Sequence, residues 1–195
     1  MALYAAMVMS WAAFFKSMWV FSSKEIGFHN LYEIIGVTMI TSNFYASQFA
    51  VAHELMHKPS FFYRVLATLH MAKLYYPHFT YHHLHCHHHK VATPEDPSTS
   101  LKGETVYQFI PRCIIDSWKG VYLMEKDKGK SLITNYAIVS VLSSAGFGLG
   151  VYLIFGLQAL LFHSLMAVGS VVYLEGINYI EHYGLLRKQL PNGEY

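Results

Sequence analysis

His53 and His57 stand four residues apart. His83, His87 and His88 fall inside the run His82-His83-Leu84-His85-Cys86-His87-His88-His89, and His182 closes Asn178-Tyr179-Ile180-Glu181-His182. Neutral imidazole is a good ligand for iron, zinc and copper, so histidines grouped in this way point to a metal centre. A purification tag would sit at a terminus, whereas this run is internal and has further histidine groups on either side. On a helix, a spacing of four puts His53 and His57 on one face as a chelating pair. His83 and His87 repeat that spacing, while His88, turned by about 100° on an α-helix, is placed to serve a second ion. His82, His85 and His89 are expected to support the ligands or face solvent, because one small centre cannot take the whole run. His29, His70, His78 and His163 stand alone, and His70, His78 and His163 are expected not to bind metal. His163 lies within an apolar run and is therefore expected to have a hydrogen-bonding partner.

Metal-bound imidazoles usually donate their other N–H to a carboxylate or carbonyl, which makes Glu54, Asp96 and Glu181 the expected supports of these ligands. Asp96 lies in Thr93-Pro94-Glu95-Asp96-Pro97, which is turn or helix-start chemistry. The segment His53-Glu54-Leu55-Met56-His57 is also a literal H-E-x-x-H, the zinc metalloprotease pattern with Glu54 as general base. That alternative needs one more protein ligand and an open position, and it leaves the other histidines without a role. Cys86 is expected to be inert, since a soft thiolate is a poor match for oxygen-activating iron.

The elements that position these residues are apolar. The chain is 53% hydrophobic with a mean hydropathy of +0.26, and only 13% of its residues are charged, against about a quarter in ordinary soluble domains. The expected fold is all-α and multi-pass, a single membrane domain over residues 1–195 with four spans, at about 2–21, 31–52, 133–155 and 157–179. Residues 61–76 are too interrupted by Arg64, His70 and Lys73 to span, and are expected to form an interfacial helix. Ten of the fourteen Lys and Arg residues lie between Lys58 and Lys130, and Arg187 and Lys188 follow the last span. The positive-inside rule then puts the middle segment and the C-terminus on the cytoplasmic face, with Lys16 and Lys24 as minor exceptions. His53 and His57 follow the second span, His182 follows the fourth, and the dense run lies between, so all are expected at one membrane depth on the cytoplasmic side. Cys86 and Cys113 alone make no disulfide scaffold. No cleavable leader, nucleic-acid signal or nucleotide fingerprint is apparent.

Taken together, His53-Glu-Leu-Met-His-Lys58, His83-Leu-His-Cys-His-His88 followed by Val91-Ala-Thr-Pro-Glu-Asp-Pro97, and Asn178-Tyr-Ile-Glu-His-Tyr-Gly-Leu185 closely resemble the integral-membrane alkane 1-monooxygenases. The related xylene monooxygenases and the wider membrane desaturase–hydroxylase superfamily share this histidine-box plan. The resemblance implies two non-haem irons held by nine histidines, six of which match His53, His57, His83, His87, His88 and His182. It implies terminal hydroxylation of medium-chain alkanes with O₂, in the membrane lipid, with electrons from a rubredoxin-type donor and its reductase. The family's remaining three ligands lie in a further His-x-x-His-His box, so the sequence is expected to be a partial copy of a complete enzyme. His82 stands where the family usually has an acid, and Cys86 where glycine is common. A non-catalytic membrane subunit that keeps the fold is the remaining alternative.

Overall fold

The computed structural model describes residues 2–22, 31–193 and 195; Lys24 and His29 lie outside the described residues. Among these, every regular element is helical: α1 (Ala2–Ser22), α2 (Leu31–Ser47), α3 (Phe49–Met56), α4 (Phe61–Ala72), α5 (His78–His82), a π-helical turn (His83–His87), α6 (His88–Lys90), α7 (Val106–Asp127) and α8 (Tyr136–His182). Two of them, Leu3–Ser22 and Tyr136–His182, are long and apolar enough to cross a membrane. The expected span at 31–52 falls on α2 and α3, which are separated at Gln48. The expected interfacial helix is α4, with Phe61 and Phe62 exposed.

The chain forms two compact units, the first from Met1–Pro77 and Ser140–Tyr173, the second from His78–Val139 and Leu174–Tyr195. In the first unit, α1 is apolar over nearly all of its surface, the exposed Lys16 apart, which suits a helix covered by protein on one face and lipid on the other. Ser10, Phe14, Met18 and Phe21 are buried at helical spacing, while Val8, Met9, Phe15 and Trp19 stay exposed. Phe14 packs edge-on to Tyr45 of α2, and Phe21 stacks on Phe162 of α8. Small residues let α2 approach α8: Ser42 Oγ donates to Met166 O (3.1 Å), and Ser170 Oγ donates to Ser42 O (3.1 Å). A Cβ on Gly169 would overlap the Ser42 side chain, so this contact requires glycine, as small residues do at membrane helix interfaces.

Helix α8 is broken at Gly156, where φ is 85° and ψ is 178°. That region is essentially closed to residues with a Cβ. Gly156→Ala is therefore expected to destabilise the protein by about 1–3 kcal/mol. Thermal unfolding of the purified protein checks this, and an unchanged midpoint would contradict it.

In the second unit, α7 buries Phe109, Cys113, Ser117, Val121 and Glu125 at intervals of four and packs on α5. Its start is fixed by a reciprocal capping box between Thr105 and Gln108. Asn135 caps α8 by accepting from Ala137 N (3.0 Å), and its Nδ2 donates to Tyr122 O of α7 (2.9 Å). This cap sets the start of α8 at Tyr136, within the expected span at about 133–155.

Candidate metal centre

The run from His82 to His89 leaves α5 through a π-helical turn, His83–His87. Such i→i+5 turns are rare and concentrate at functional positions. The wider turn changes which histidines meet. The expectation that His88 points away rests on α-helical rotation, and the π turn brings it back. His88 Nε2 lies 2.9 Å from His83 Nε2, with ring centroids 4.5 Å apart. His87 remains on the same side, stacked on His83 at 5.4 Å and standing 5.0 Å from the His182 ring. Four of the six expected ligands are thus gathered within the second unit.

The other two form a pair in the first unit. His53, half-buried on α3, and the exposed His57 at its C-cap place their Nε2 atoms 3.3 Å apart. Two nitrogens bound to one ion at about 2.1 Å stand about 3.0–3.4 Å apart for bond angles between 90° and tetrahedral. The His53–His57 pair, at 3.3 Å, falls within that range and the His83–His88 pair, at 2.9 Å, lies just short of it; an all-imidazole donor set suits iron, as it does zinc and copper.

Asp96 organises the second unit's site. Its Oδ2 lies 2.9 Å from His87 Nδ1 and its side chain is fully buried. Thr99 Oγ1 donates to Oδ2 (2.7 Å) and Ser98 N to Oδ1 (3.1 Å). Burial pushes the Asp96 carboxyl up, but His87, Thr99 and Ser98 together outweigh it and hold the group below its ordinary value. An ionised carboxylate only accepts, so His87 carries its proton on Nδ1 and keeps the Nε2 lone pair for an ion. Of the three expected carboxylates, Asp96 is buried against His87, while Glu54 and Glu181 lie at exposed positions.

The Thr93–Pro97 segment is a turn rather than a helix start, and it is held from three sides. Thr99 Oγ1 accepts from Ala92 N (2.9 Å). Arg112 donates to Pro97 O (3.1 Å), Thr99 O (3.1 Å) and both Glu104 oxygens (2.6 and 2.8 Å). Ser100 Oγ donates to Tyr179 O (2.7 Å), which ties the turn to the end of α8 that carries His182. Arg112→Ala removes the guanidinium donor from two carbonyls and leaves the Glu104 carboxylate only the N–H of Leu101 (3.0 Å), so a loss of about 1–3 kcal/mol is expected. Denaturant unfolding measures it, and a variant as stable as the parent would show that the turn holds without the guanidinium.

The remaining histidines divide by burial. His85 and His89 are exposed, as expected. His78 Nε2 lies 3.3 Å from Ser117 Oγ, and His82 is buried with neither ring nitrogen hydrogen-bonded. Burial lowers His78 to about 3 and His82 to about 4, so both are neutral at physiological pH. His163 departs from expectation: it is fully buried with no hydrogen bond at either ring nitrogen, and so is His70. Aromatic rings stand where a partner was expected, with Phe14, Tyr75 and Phe147 around His163 and the Trp11 edge on His70. Cys86 is buried, which raises its thiol.

The depressed His78 pKa has a signed consequence. The unfolded chain takes up a proton near 6.5 that the folded chain refuses until about 3. The stabilisation is therefore complete above 6.5 and is lost as pH falls from 6.5 toward 3. His78→Asn should flatten the acid limb of the stability curve by up to about 1.4 kcal/mol per pH unit. Parallel curves for the two proteins would contradict this.

Thr99 and Ser98 were not singled out from sequence, although Asp-x-Ser-Thr is an Asx-turn pattern. Glu175, fully buried where it accepts from Cys113 Sγ (3.0 Å) and Asn178 Nδ2 (3.1 Å), was also missed. A lone carboxylate in an apolar run was the available signal.

Residues 29–195 match the family model described as fatty acid desaturase. Alkane 1-monooxygenase 1 of Alcanivorax borkumensis is 33% identical over 198 residues, which take in 98% of this chain and 48% of that protein. Alkane 1-monooxygenase of Acinetobacter baylyi is 36% identical over 83% of this chain and 41% of its own length. The xylene/toluene monooxygenase hydroxylase component of Pseudomonas putida is 34% identical over 70% of this chain and 39% of its own length. The chain spans about half the length of the first two of these curated relatives. The family match takes in the His53–His57 helix, the π turn, the Asp96 loop and His182, and the chain belongs to the fatty acid desaturase family.

Proposed function

We propose that the chain carries the hydroxylase site of an integral-membrane non-haem diiron monooxygenase that acts on the terminal carbon of medium-chain alkanes. The observation that carries this reading is the gathering of His83, His87, His88 and His182 about a π turn braced by Asp96. The relatives named alkane 1-monooxygenase support the substrate class. His53, His57, His83, His87, His88 and His182 are the ligands this chain provides, with three further imidazoles supplied by the family's last histidine box. A zinc protease built on His53, Glu54 and His57 is not favoured, since it leaves the second unit's histidines idle.

When bound, the iron pair supplies oxygen activation. The balance is one alkane, one O₂, two electrons and two protons giving one primary alcohol and one water, with the electrons delivered by a rubredoxin-type protein and its reductase. The chain's own residues hold the ligands in place. Asp96 fixes the His87 tautomer, the π turn sets the His83–His88 pair, and the α7 stripe packs α5 behind them. We infer four membrane crossings, made by α1, by α2 with α3, and by each half of α8 about Gly156, with the histidines at the cytoplasmic face. Exposed apolar side chains of α1 and α8 then face lipid, the phase into which an alkane partitions.

The test is oxidation of octane by the full-length protein in membranes, with rubredoxin, reductase and labelled O₂. Octan-1-ol carrying one labelled oxygen atom is expected. A fully loaded protein that forms no alcohol would favour a non-catalytic membrane subunit instead.

A further inference from the structure

The turn that joins α7 to α8 takes no part in the metal chemistry, and its tip is apolar. Leu132 and Ile133 are 64% and 81% exposed. They stand four and three residues before Tyr136, where the long apolar helix α8 begins. Lys126-Asp127-Lys128-Gly129-Lys130 precedes them, every residue at an exposed position. Lys128 Nζ donates to Tyr81 Oη (2.7 Å). Lys126 and Lys130 enter no ion pair among the described residues.

Hydrogen bonds fix the shape of this segment. Gly129, at φ 75°, donates to Lys126 O (2.9 Å), and Lys130 N donates to Glu125 O (3.0 Å). Ser131 O accepts from Thr134 N (3.1 Å) and Asn135 N (2.8 Å), and the Ser131 and Thr134 hydroxyls stand 2.9 Å apart. Leu132 and Ile133 are therefore held outward on a closed turn. A turn in water ordinarily carries Gly, Asn, Asp, Ser or Pro at its tip, and two aliphatic side chains are held in water only against the hydrophobic effect. The boundary between headgroups and acyl chains accepts such side chains. Three lysines against one aspartate leave the segment with a net charge of +2, which favours a negative headgroup layer. Lysine suits that layer, since its stem lies along apolar surface while its ammonium stays among the headgroups. An acidic protein surface would match the charge and leave the aliphatic pair unexplained. A neutral bilayer would match the pair and leave the charge unexplained.

We propose that the α7–α8 turn docks on anionic phospholipid, with Leu132 and Ile133 at the acyl boundary and Lys126 and Lys130 on the headgroup phosphates. This surface rests on the reading above of the first half of α8 as a membrane crossing. It needs neither metal nor turnover.

The experiment uses the full-length protein in nanodiscs that contain phosphatidylglycerol. A nitroxide is attached at Ile133→Cys and, separately, at Leu149→Cys on the exposed face of α8; Cys86 and Cys113 are buried and escape the reagent. Relaxation by O₂ and by a water-soluble nickel chelate reads the depth of each label. The label at 133 is expected just below the headgroups and the label at 149 in the acyl core. Native mass spectrometry then compares phosphatidylglycerol with phosphatidylcholine of the same chains. The first lipid bound is expected to favour phosphatidylglycerol by at least about 10-fold. Lys126→Gln combined with Lys130→Gln should abolish that preference, since each lysine beside an anionic surface is worth about 5-fold. If the double variant fails to fold, the label depth and the lipid preference of the parent protein decide. Equal binding of the two lipids, or an undiminished preference in the double variant, would overturn the proposal. A label at 133 open to the chelate with the label at 149 in the acyl core would overturn it too, and would leave the turn to an acidic protein partner. Both labels open to the chelate would take down the crossing as well.

Discussion

Replacing His87 by alanine is expected to strip most of the iron from the full-length protein and to lower alkane hydroxylation by at least about 100-fold, beyond the range seen when only a ligand's supporting partner is lost. Two losses combine. The centre gives up one imidazole, and Asp96 is left as a buried carboxylate without the N–H it accepts at 2.9 Å. His53→Ala should act comparably, because it removes half of the pair whose Nε2 atoms stand 3.3 Å apart. His163→Ala should keep its iron, since that ring is enclosed by aromatic side chains. Iron analysis of purified membranes, normalised to protein, reads all three. Full retention in His53→Ala or His87→Ala would remove these residues from the ligand set.

The second large effect is expected at Asp96. Asp96→Asn preserves shape but removes the charge that His87, Thr99 and Ser98 converge on. The amide can also present its NH₂ to His87, which favours the tautomer with the wrong nitrogen protonated. A fall of about 10–100-fold in iron affinity or turnover is expected, the range for loss of a carboxylate behind a metal-bound imidazole. Glu54→Gln and Glu181→Gln, at exposed positions, should fall at the low end of that range. The pH dependence has a definite sign. Because the Asp96 carboxyl is depressed in the folded protein, its stabilisation is present above the unfolded value and is lost as pH falls through the folded one. Asp96→Asn should therefore lose stability chiefly at neutral pH and converge on the parent in acid. Parental iron affinity and an unchanged pH profile would show that the carboxylate is incidental.

The ligand types and their spacing are local properties, which is why the histidine groups and the Asp96 turn could be read without a structure. The break in α8 at Gly156 was equally readable, because glycine separates two apolar runs. The π turn was not. Nothing in His83-Leu84-His85-Cys86-His87 distinguishes i→i+5 from i→i+4 bonding, and that difference decides whether His88 meets His83 or turns away. The partners of Asp96 depend on Thr99 and Arg112, and Arg112 acts from a helix that starts only at Val106. The surroundings of His163 were misjudged for a similar reason: burial was legible, but enclosure by Phe14, Tyr75 and Phe147 is a tertiary outcome. Lys73 looked like an interfacial lysine from its neighbours in sequence, and only packing against α1 and α2 shows it buried on Ser10, Trp11 and Tyr45.

The most direct measurement is the metal content of the full-length protein as isolated from membranes, by elemental analysis with Mössbauer spectroscopy on ⁵⁷Fe-grown material. The proposed diiron reading predicts about two irons per chain in nitrogen-rich, non-haem sites, with little zinc, a choice that imidazole donors alone do not make. One zinc per chain and no iron signal would contradict it and return the His53-Glu54-Leu55-Met56-His57 segment to a hydrolytic role.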